Sequence, residues 1–201
     1  MAFHDKRGVL PRFQAGERLK IELGCGPSKM DPAAVGIDAL DFDGVDLVGD
    51  VFEVLAALPG ESVAACYSAH FFEHVGDLSR LIDELGRTLA PGAVLTVKVP
   101  HFSNPYFYSD PTHSRHFGLY TMSYFARDSL LKRKVPNYGR TAVFELEAVR
   151  LGFDSPFPFR GLLKRLIGPF FNLATWLQEF HEENLCYLLP CYEVEYRLRR
   201  I

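Results

Sequence analysis

A short apolar segment that ends in a glycine turn places the strongest constraint on the fold. Residues 19–23 (Leu-Lys-Ile-Glu-Leu) run directly into Gly24-Cys25-Gly26. A strand that ends in this way lets the backbone approach a ligand closely, because a side chain on either glycine would block it or forbid the required dihedral angles. Position 29 is Lys where a dinucleotide-binding fold would carry its third glycine, and the signature of a phosphate loop is absent. Pyrophosphate and triphosphate ligands are therefore disfavoured.

The following segments alternate between strand and helix patterns. Asp77 is a predicted N-cap, and the apolar residues from Leu78 to Leu89 keep the i, i+3, i+4, i+7 spacing of an amphipathic helix. Strands that alternate with crossovers predict an α/β fold with a doubly wound, mainly parallel sheet. The other predicted strands are residues 34–38, 45–50, 63–68, 93–99, 143–149 and 192–201.

The C-terminal part of the chain contains a second helical pattern. Residues 160–184 are predicted to be a helical addition that is broken near Gly168-Pro169. Its apolar stripe includes Leu163, Leu166 and Phe170, and we expect it to cover the sheet, because a doubly wound sheet needs both faces buried. A dimer surface and a membrane contact are less favoured alternatives. Since neither a linker nor an internal repeat is visible, residues 1–201 are predicted to form a single domain.

Charge and cysteine content exclude several classes of protein. The 22 Lys and Arg residues are balanced by 25 Asp and Glu residues, so no strong overall field attracts nucleic acid. The four cysteines form neither a C-x-x-C pair nor a dense disulfide framework, which indicates free thiols in a reducing compartment. No apolar stretch reaches the roughly 18 residues of a membrane-spanning helix. We therefore expect a cytoplasmic protein that does not bind nucleic acid.

Three carboxylates lie at or near the predicted ends of the first strands: Glu22, Asp38 and Asp50. In an open parallel sheet, ligands bind at the carboxyl ends of the strands. Three spaced carboxylates suit a ligand that carries ribose hydroxyls, an amino group and a positive centre. Each of them taken singly is also compatible with an ordinary turn or capping residue.

Residues 18–100 resemble class I S-adenosylmethionine-dependent methyltransferases, in particular the small type 11 branch with a Gly-Cys-Gly-Pro turn. The matching motifs are Glu22–Gly26, Gly49–Val51, Ser62–Ser68 followed by Phe72–Val75, and Arg87–Gly92. Two positions depart from the family pattern, Ser28 at its third glycine and Ala64 at an Asp that starts its fourth strand. The resemblance implies a Rossmann-like sheet of seven strands whose last strand, residues 192–201, runs antiparallel.

The resemblance also implies S-adenosylmethionine as the cofactor. The first motif would wrap its methionine end, Asp38 would hold the ribose hydroxyls, and the segment around Asp50 would meet the adenine. Ser68 and His70 would face the cofactor just past a strand. The implied cofactor-binding residues are Glu22, Gly24, Cys25, Gly26, Asp38, Ala39, Asp50, Val51, Ser68 and His70.

Residues 101–128 are predicted to be a loop region on the acceptor side, since they follow the fifth strand. Methyl transfer to a hydroxyl needs a group that takes its proton, and an imidazole oriented by a carboxylate suits that role. We predict His113 as the base, with Asp110 or His101 as the orienting group. Structural or solvated histidines remain an alternative, and a divalent ion on these residues is a weaker one, so no metal is expected. Glu73-His74 is interpreted as structural.

These residues predict methyl transfer from S-adenosylmethionine to a hydroxyl on a saccharide or cell-surface glycan precursor. The run Asp110-Pro-Thr-His113 is similar to one in methyltransferases that accompany surface-polysaccharide synthesis. A non-catalytic protein that binds the cofactor or acts as a scaffold is one alternative. A metal-dependent enzyme that uses the histidines of residues 101–116 is another.

Overall fold

The computed structural model describes residues 3–201 and contains nine β-strands and five α-helices in this range. The helices are α1 (Leu10–Gln14), α2 (Val51–Ala57), α3 (Leu78–Thr88), α4 (Pro158–Phe171) and α5 (Thr175–Asn184). The strands are β1 (His4–Asp5), β2 (Leu19–Leu23), β3 (Val35–Asp38), β4 (Leu47–Val48), β5 (Val63–Ala69), β6 (Leu89–Pro100), β7 (Ala126–Arg127), β8 (Phe144–Gly152) and β9 (Glu193–Arg200).

The chain divides into two compact units. Unit 1 comprises the residues up to 71 together with 77–97 and 199–201, and unit 2 comprises residues 72–76 and 98–198. The prediction of a single domain over residues 1–201 stays a prediction.

Unit 1 contains the parallel strands that the sequence predicts. Its strand order is β1-β4-β3-β2-β5-β6. Strand β2 pairs in parallel with both β3 and β5, and β4 pairs in parallel with β3, whereas the short β1 is antiparallel to β4. Helix α3 begins as predicted, because the Asp77 side chain accepts a hydrogen bond from the backbone N–H of Arg80 at 2.9 Å. Its buried residues include Leu81, Ile82 and Leu85, which confirms the predicted apolar face.

Unit 2 contains the end of β6, residues 98–100, and its strand order is β6-β9-β8-β7. Strand β7 pairs in parallel with β8. Phe117, Phe144 and Tyr196 are fully buried here and form much of the core. The predicted α/β class is confirmed, although the strands number nine rather than seven among the described residues. The two-residue strands β1 and β7 are too short to produce a periodic signal in the sequence.

The C-terminal helical segment breaks later than predicted. Pro169 lies inside α4, and the chain leaves the helix at Asn172. The Asn172 side chain accepts from the Leu151 N–H at 2.9 Å and donates to the Leu151 carbonyl at 2.8 Å, which ties the end of α4 to β8. Tertiary hydrogen bonds therefore decide where this helix ends.

The expectation that the apolar stripe of α4 covers the sheet is wrong. Leu163, Leu166 and Phe170 are 53%, 70% and 53% exposed. The buried residues of the helix are instead Gly161, Lys164, Gly168 and Phe171.

Within residues 3–201, no helix is both long enough and apolar enough to cross a bilayer.

A buried carboxylate connects the strands of unit 1. Asp46 is 3% exposed, and its Oδ2 accepts hydrogen bonds from the Gly36 N–H at 2.7 Å and from Lys29 Nζ at 2.8 Å. The Arg7 guanidinium lies 3.1 Å from Oδ1. Lys29 also donates to the Ala34 carbonyl at 2.8 Å, so this one side chain anchors the loop between β2 and β3.

We predict that Asp46→Ala lowers the free energy of unfolding by about 3–5 kcal/mol, because the buried Lys29 ammonium loses its counter-charge. Urea unfolding measures the change. The control is Asp43→Ala in the same loop, whose exposed side chain should be worth no more than about 0.5 kcal/mol. Equal destabilisation by the two variants would contradict a special role for Asp46.

Candidate functional site

The turn after β2 has a backbone that requires glycine. Gly24 and Gly26 have φ angles of +63° and +55°. A Cβ atom on Gly24 would lie 2.6 Å from the Cβ of Phe71, so no larger residue fits there without displacing the Phe71 side chain. The Gly24 N–H donates to the Ile37 carbonyl at 2.8 Å, which holds the turn against the end of β3.

Asp38 lies at the carboxyl end of β3, directly beside this turn. Its Oδ2 accepts from the Gly26 N–H and its Oδ1 accepts from the Leu40 N–H, both at 2.9 Å. Each carboxylate oxygen has two lone pairs, so both oxygens retain capacity for donors from a ligand. The side chain is partly exposed, and the adjacent Ala39 is exposed. Asp38 thus supports the turn and is also available to bind hydroxyl groups.

Asp50 forms the N-cap of α2. Its Oδ1 accepts from the backbone N–H groups of Phe52 and Glu53 at 2.9 and 3.3 Å. The residue is exposed, whereas the next residue, Val51, is 9% exposed. Asp50 therefore lies just after β4, near the strand end that the sequence predicts. The backbone N–H groups of the helix that it caps hold its carboxylate in place.

Glu22 and Cys25 support the turn from inside. Glu22 is 3% exposed, and its carboxylate accepts from the Met30 N–H at 2.9 Å, which braces the loop after the turn. Burial, together with the nearby carboxylate of Asp38, raises the pKa of the Cys25 thiol to about 11. The thiol is therefore protonated at neutral pH, in keeping with a small turn residue.

The two candidate residues at the end of β5 differ in accessibility. Ser68 is fully buried, and its hydroxyl donates to the Leu23 carbonyl at 3.2 Å. His70 is exposed and has a φ of +53°. The exposure of His70 suits contact with a ligand, whereas the Ser68 hydroxyl is directed to the backbone of β2.

A second group of functional side chains lies in unit 2, around His113. Nδ1 of His113 is 2.8 Å from the Phe107 carbonyl, which can only accept, so Nδ1 carries a proton. In the neutral ring Nε2 then carries the lone pair. Nε2 lies 3.7 Å from Asp110 Oδ2 and 3.9 Å from Glu73 Oε1. Asp110 therefore lies near His113, but the hydrogen bond that orients the ring goes to the Phe107 carbonyl.

His74 has the same arrangement of ring protons. Its Nδ1 lies 2.9 Å from Thr112 Oγ1, and this hydroxyl donates its own proton to Asp110 Oδ1 at 2.6 Å. Nδ1 of His74 must then donate to Thr112, so in the neutral ring the lone pair is on Nε2, 4.0 Å from Glu73 Oε1. The hydrogen bond from Thr112 also lowers the pKa of Asp110, so that group is a carboxylate.

Glu73, His74 and His113 together form a set of possible metal ligands. One ligand atom from each lies within 4.8 Å of the others, and the Glu73 side chain is 1% exposed. The backbone carbonyl of Glu73 accepts from the Ser114 N–H at 2.8 Å, which joins the two segments of the site. The sequence analysis interpreted Glu73 and His74 as structural and did not group them with His113. One feature of the sequence could have indicated the grouping. Phe72–Val75 comes just after the end of β5, and the loop that contains His113 comes just after the end of β6.

His101 belongs to a different network. It is fully buried, and its Nδ1 accepts from the Ser103 N–H at 3.1 Å, so Nε2 donates to Glu182 Oε2 at 3.0 Å. Glu182 Oε2 also accepts from the Leu119 N–H at 2.6 Å. Both ring nitrogens of His101 are occupied, so the predicted orienting role of His101 toward His113 has no support. The polar groups beside the His113 ring are instead the Phe107 carbonyl and the carboxylates of Asp110 and Glu73.

Unit 2 also contains an open cavity of about 900 Å³. Phe102 and Tyr120, two aromatic residues of the predicted acceptor-side loop region, line it. The Tyr120 hydroxyl donates to Glu179 at 2.7 Å, while Trp176 and Phe180 are exposed at its edge. The cavity therefore combines aromatic faces with carboxylates.

Comparison with solved structures finds the same fold over nearly the whole chain. An S-adenosylmethionine-dependent methyltransferase from Archaeoglobus fulgidus matches with a TM-score of 0.56 and 16% identity over 96% of this chain and 93% of that one. One from Mesorhizobium loti matches with a TM-score of 0.51 and 17% identity over 98% and 99%. Phosphoethanolamine N-methyltransferase 2 of Haemonchus contortus matches with a TM-score of 0.52 and 13% identity, over 96% of this chain and 51% of that one. No family model and no curated protein matches the sequence.

We predict that Glu182→Ala lowers the melting temperature strongly, because the buried His101 Nε2–H and the Leu119 N–H lose a charged acceptor worth about 1.5–3 kcal/mol. The control is Glu183→Ala, since Glu183 is the exposed neighbour in the same helix. Thermal unfolding followed by circular dichroism compares the two variants. A stable Glu182→Ala protein would contradict the structural role of this network.

Proposed function

The fold of this chain is that of the class I S-adenosylmethionine-dependent methyltransferases, and from this premise we propose that it transfers a methyl group from S-adenosylmethionine to an acceptor hydroxyl. The observation that carries the proposal is the glycine turn of Gly24 and Gly26 with Asp38 beside it. The type 11 branch stays a prediction. We further propose a saccharide or glycan precursor as the acceptor.

The residues of unit 1 fit this cofactor. The turn is open at Gly26, where a Cβ atom would meet no other atom within 4 Å, and this leaves space for the methionine end. The partly exposed Asp38 carboxylate has lone pairs for two ribose hydroxyls. Ala39, Asp50 and Val51 continue the proposed site on the adenine side. When bound, the cofactor supplies an electrophilic methyl group on a sulfonium centre. We assign Glu22 and Cys25 to shaping the turn, and His70 to contact with the cofactor.

We propose that His113 accepts the proton of the acceptor hydroxyl at Nε2 while the oxygen gains the methyl group. The bond between the methyl group and the sulfonium sulfur would break, its electron pair would stay on the sulfur, and S-adenosylhomocysteine would be the leaving group. The Phe107 carbonyl fixes the tautomer that leaves this nitrogen free of a proton. The Asp110 carboxylate at 3.7 Å and the Glu73 carboxylate at 3.9 Å stabilise the imidazolium that forms. His113 and Asp110 are thus the proposed catalytic pair, and His101 supports the fold.

The open cavity of unit 2 supports a saccharide acceptor. The exposed rings of Trp176 and Phe180 can stack on the apolar faces of a sugar, and Glu179 and Glu183 can accept from its hydroxyls. A purely non-catalytic cofactor-binding protein would have no use for a His–carboxylate pair with a free Nε2. Turnover of the cofactor separates these two functions.

The Glu73–His74–His113 set favours a second candidate, methyl transfer assisted by a divalent metal ion. Both imidazoles donate their Nδ1 protons to outer partners and turn their Nε2 lone pairs toward one buried carboxylate. Two imidazoles and a carboxylate suit zinc, iron or manganese. Such an ion would lower the pKa of a bound hydroxyl, so that no protein base is needed.

We predict that S-adenosylhomocysteine binds the protein and that Asp38→Ala weakens binding about 10- to 100-fold, because the ribose hydroxyls lose a charged acceptor. Isothermal titration calorimetry measures both affinities. Asp43→Ala is the control, and circular dichroism confirms that the variants are folded. Absence of heat and of thermal shift with the wild-type protein would refute the cofactor assignment.

We predict that His113→Ala lowers turnover by about 10² to 10⁴ and leaves cofactor affinity nearly unchanged, since it removes the base. The assay uses a label-carrying methyl donor and cell extract fractionated into glycan, lipid, protein and small molecules. His116→Ala is the matched control, because His116 lies in the same loop but outside the Glu73 set. Label in the protein fraction would contradict the saccharide acceptor, and label on the nitrogen of a small molecule would contradict the hydroxyl acceptor.

The variant His74→Ala distinguishes the reaction that uses His113 as the base from the reaction assisted by a metal ion. If His113 is the base, His74→Ala lowers turnover only slightly, and a chelator has no effect. If an ion is bound, His74→Ala and His113→Ala lose turnover alike, and chelator inactivation is reversed by zinc or manganese. The second pattern would replace the base by the metal-assisted reaction.

A further inference from the structure

Helix α4 turns its large apolar side chains outward. Phe159 is 94% exposed, and Leu166 is 70% exposed. These residues share one face of the helix because they recur at spacings of three and four positions. The outward face consists of Phe159, Leu162, Leu163, Leu166 and Phe170, and Leu173 continues it beyond the helix end. We call this set the α4 apolar face.

The opposite face of α4 is fixed against unit 2 by close packing and hydrogen bonds. Lys164 is buried, and its Nζ donates to the Pro190 carbonyl at 2.6 Å and to the Asp154 carbonyl at 3.1 Å. A Cβ atom on Gly161 would lie 2.8 Å from the Ser155 carbonyl oxygen, so the backbone approaches closely here. Rotation of the helix to bury its leucines would break these hydrogen bonds. The outward orientation of the α4 apolar face is therefore built into the fold.

Two exposed arginines and one acidic side chain lie next to this face. Residues 155–178 contain no Asp or Glu, but contain Arg160, Lys164 and Arg165. Arg160 and Arg165 are exposed, and Arg165 pairs with Asp154 at 3.1 Å across the surface. Trp176, which is 63% exposed, follows in α5 and is the one tryptophan of the chain. Phenylalanine and leucine on one face of a helix that also carries basic residues are typical of helices that lie in a membrane interface.

We propose that the α4 apolar face docks on the surface of an anionic lipid bilayer, with α4 lying in the plane of the interface. A bilayer supplies both an apolar interior for the leucines and phenylalanines and negative headgroups for Arg160 and Arg165. A second copy of this chain fits less well, because a two-fold contact would bring the same basic residues together with no acidic residue on the face. This proposal is independent of the reaction that the protein catalyses.

The test is co-sedimentation of the purified full chain with vesicles. We expect binding to mixed phosphatidylcholine–phosphatidylglycerol vesicles, much weaker binding to phosphatidylcholine alone, and weaker binding as salt is raised. Trp176 provides a second readout, because its emission should shift to shorter wavelength when its environment becomes apolar. Absence of binding to the anionic vesicles would overturn the proposal.

Leu166→Glu is the decisive variant, since it places a negative charge at the centre of the face and its exposed position leaves the fold intact. We expect it to weaken vesicle binding by at least about tenfold. Leu188→Glu is the matched control, because Leu188 is 82% exposed but lies outside α4, and it should bind like the wild type. Unchanged binding of Leu166→Glu would overturn the proposal. A dimer without vesicles that Leu166→Glu dissociates would assign the face to self-association instead.

Discussion

The buried ion pair between Asp46 and Lys29 is the interaction on which the rest of unit 1 depends. Both side chains are almost completely enclosed, with 4% and 10% exposure. Lys29 anchors the loop after the glycine turn, and Asp46 also accepts from the Gly36 N–H, so one carboxylate connects this loop to β3. A buried charge without its partner is costly, which gives the loop a single favoured position. The turn at Gly24 and the carboxylate of Asp38 are presented to a ligand by this arrangement.

In unit 2 the decisive feature is the placement of protons on two imidazoles. The Phe107 carbonyl and the Thr112 hydroxyl accept hydrogen bonds from Nδ1 of His113 and His74. In the neutral rings, both Nε2 atoms therefore carry lone pairs beside Glu73. A base and a metal ligand need the same free nitrogen, and for this reason the geometry serves both proposed reactions. His101 shows the contrast, because both of its nitrogens are occupied by Ser103 and Glu182.

Helix α4 adds a surface that the proposed reaction does not require. A helix that buries Gly161 and Lys164 while exposing Leu166 reverses the usual arrangement of apolar and polar faces. This orientation leaves a large apolar surface in water, which is unfavourable. A membrane interface would remove that surface from water and would also place negative headgroups beside the basic residues. The residues proposed for cofactor binding and proton transfer therefore lie outside α4, the helix that carries the proposed docking face.

The sequence by itself determined the α/β class, helix α3 with its Asp77 cap, and the positions of Gly24 and Asp38 at strand ends. Those features follow from apolar periodicity and turn chemistry, which act over a few neighbouring residues. Only the tertiary structure decided that Glu73 and His74 join His113, and that His101 pairs with Glu182, 81 positions away. It also decided which side of α4 faces inward. Periodicity shows that a helix has an apolar face, but packing against the rest of the chain decides whether that face is covered.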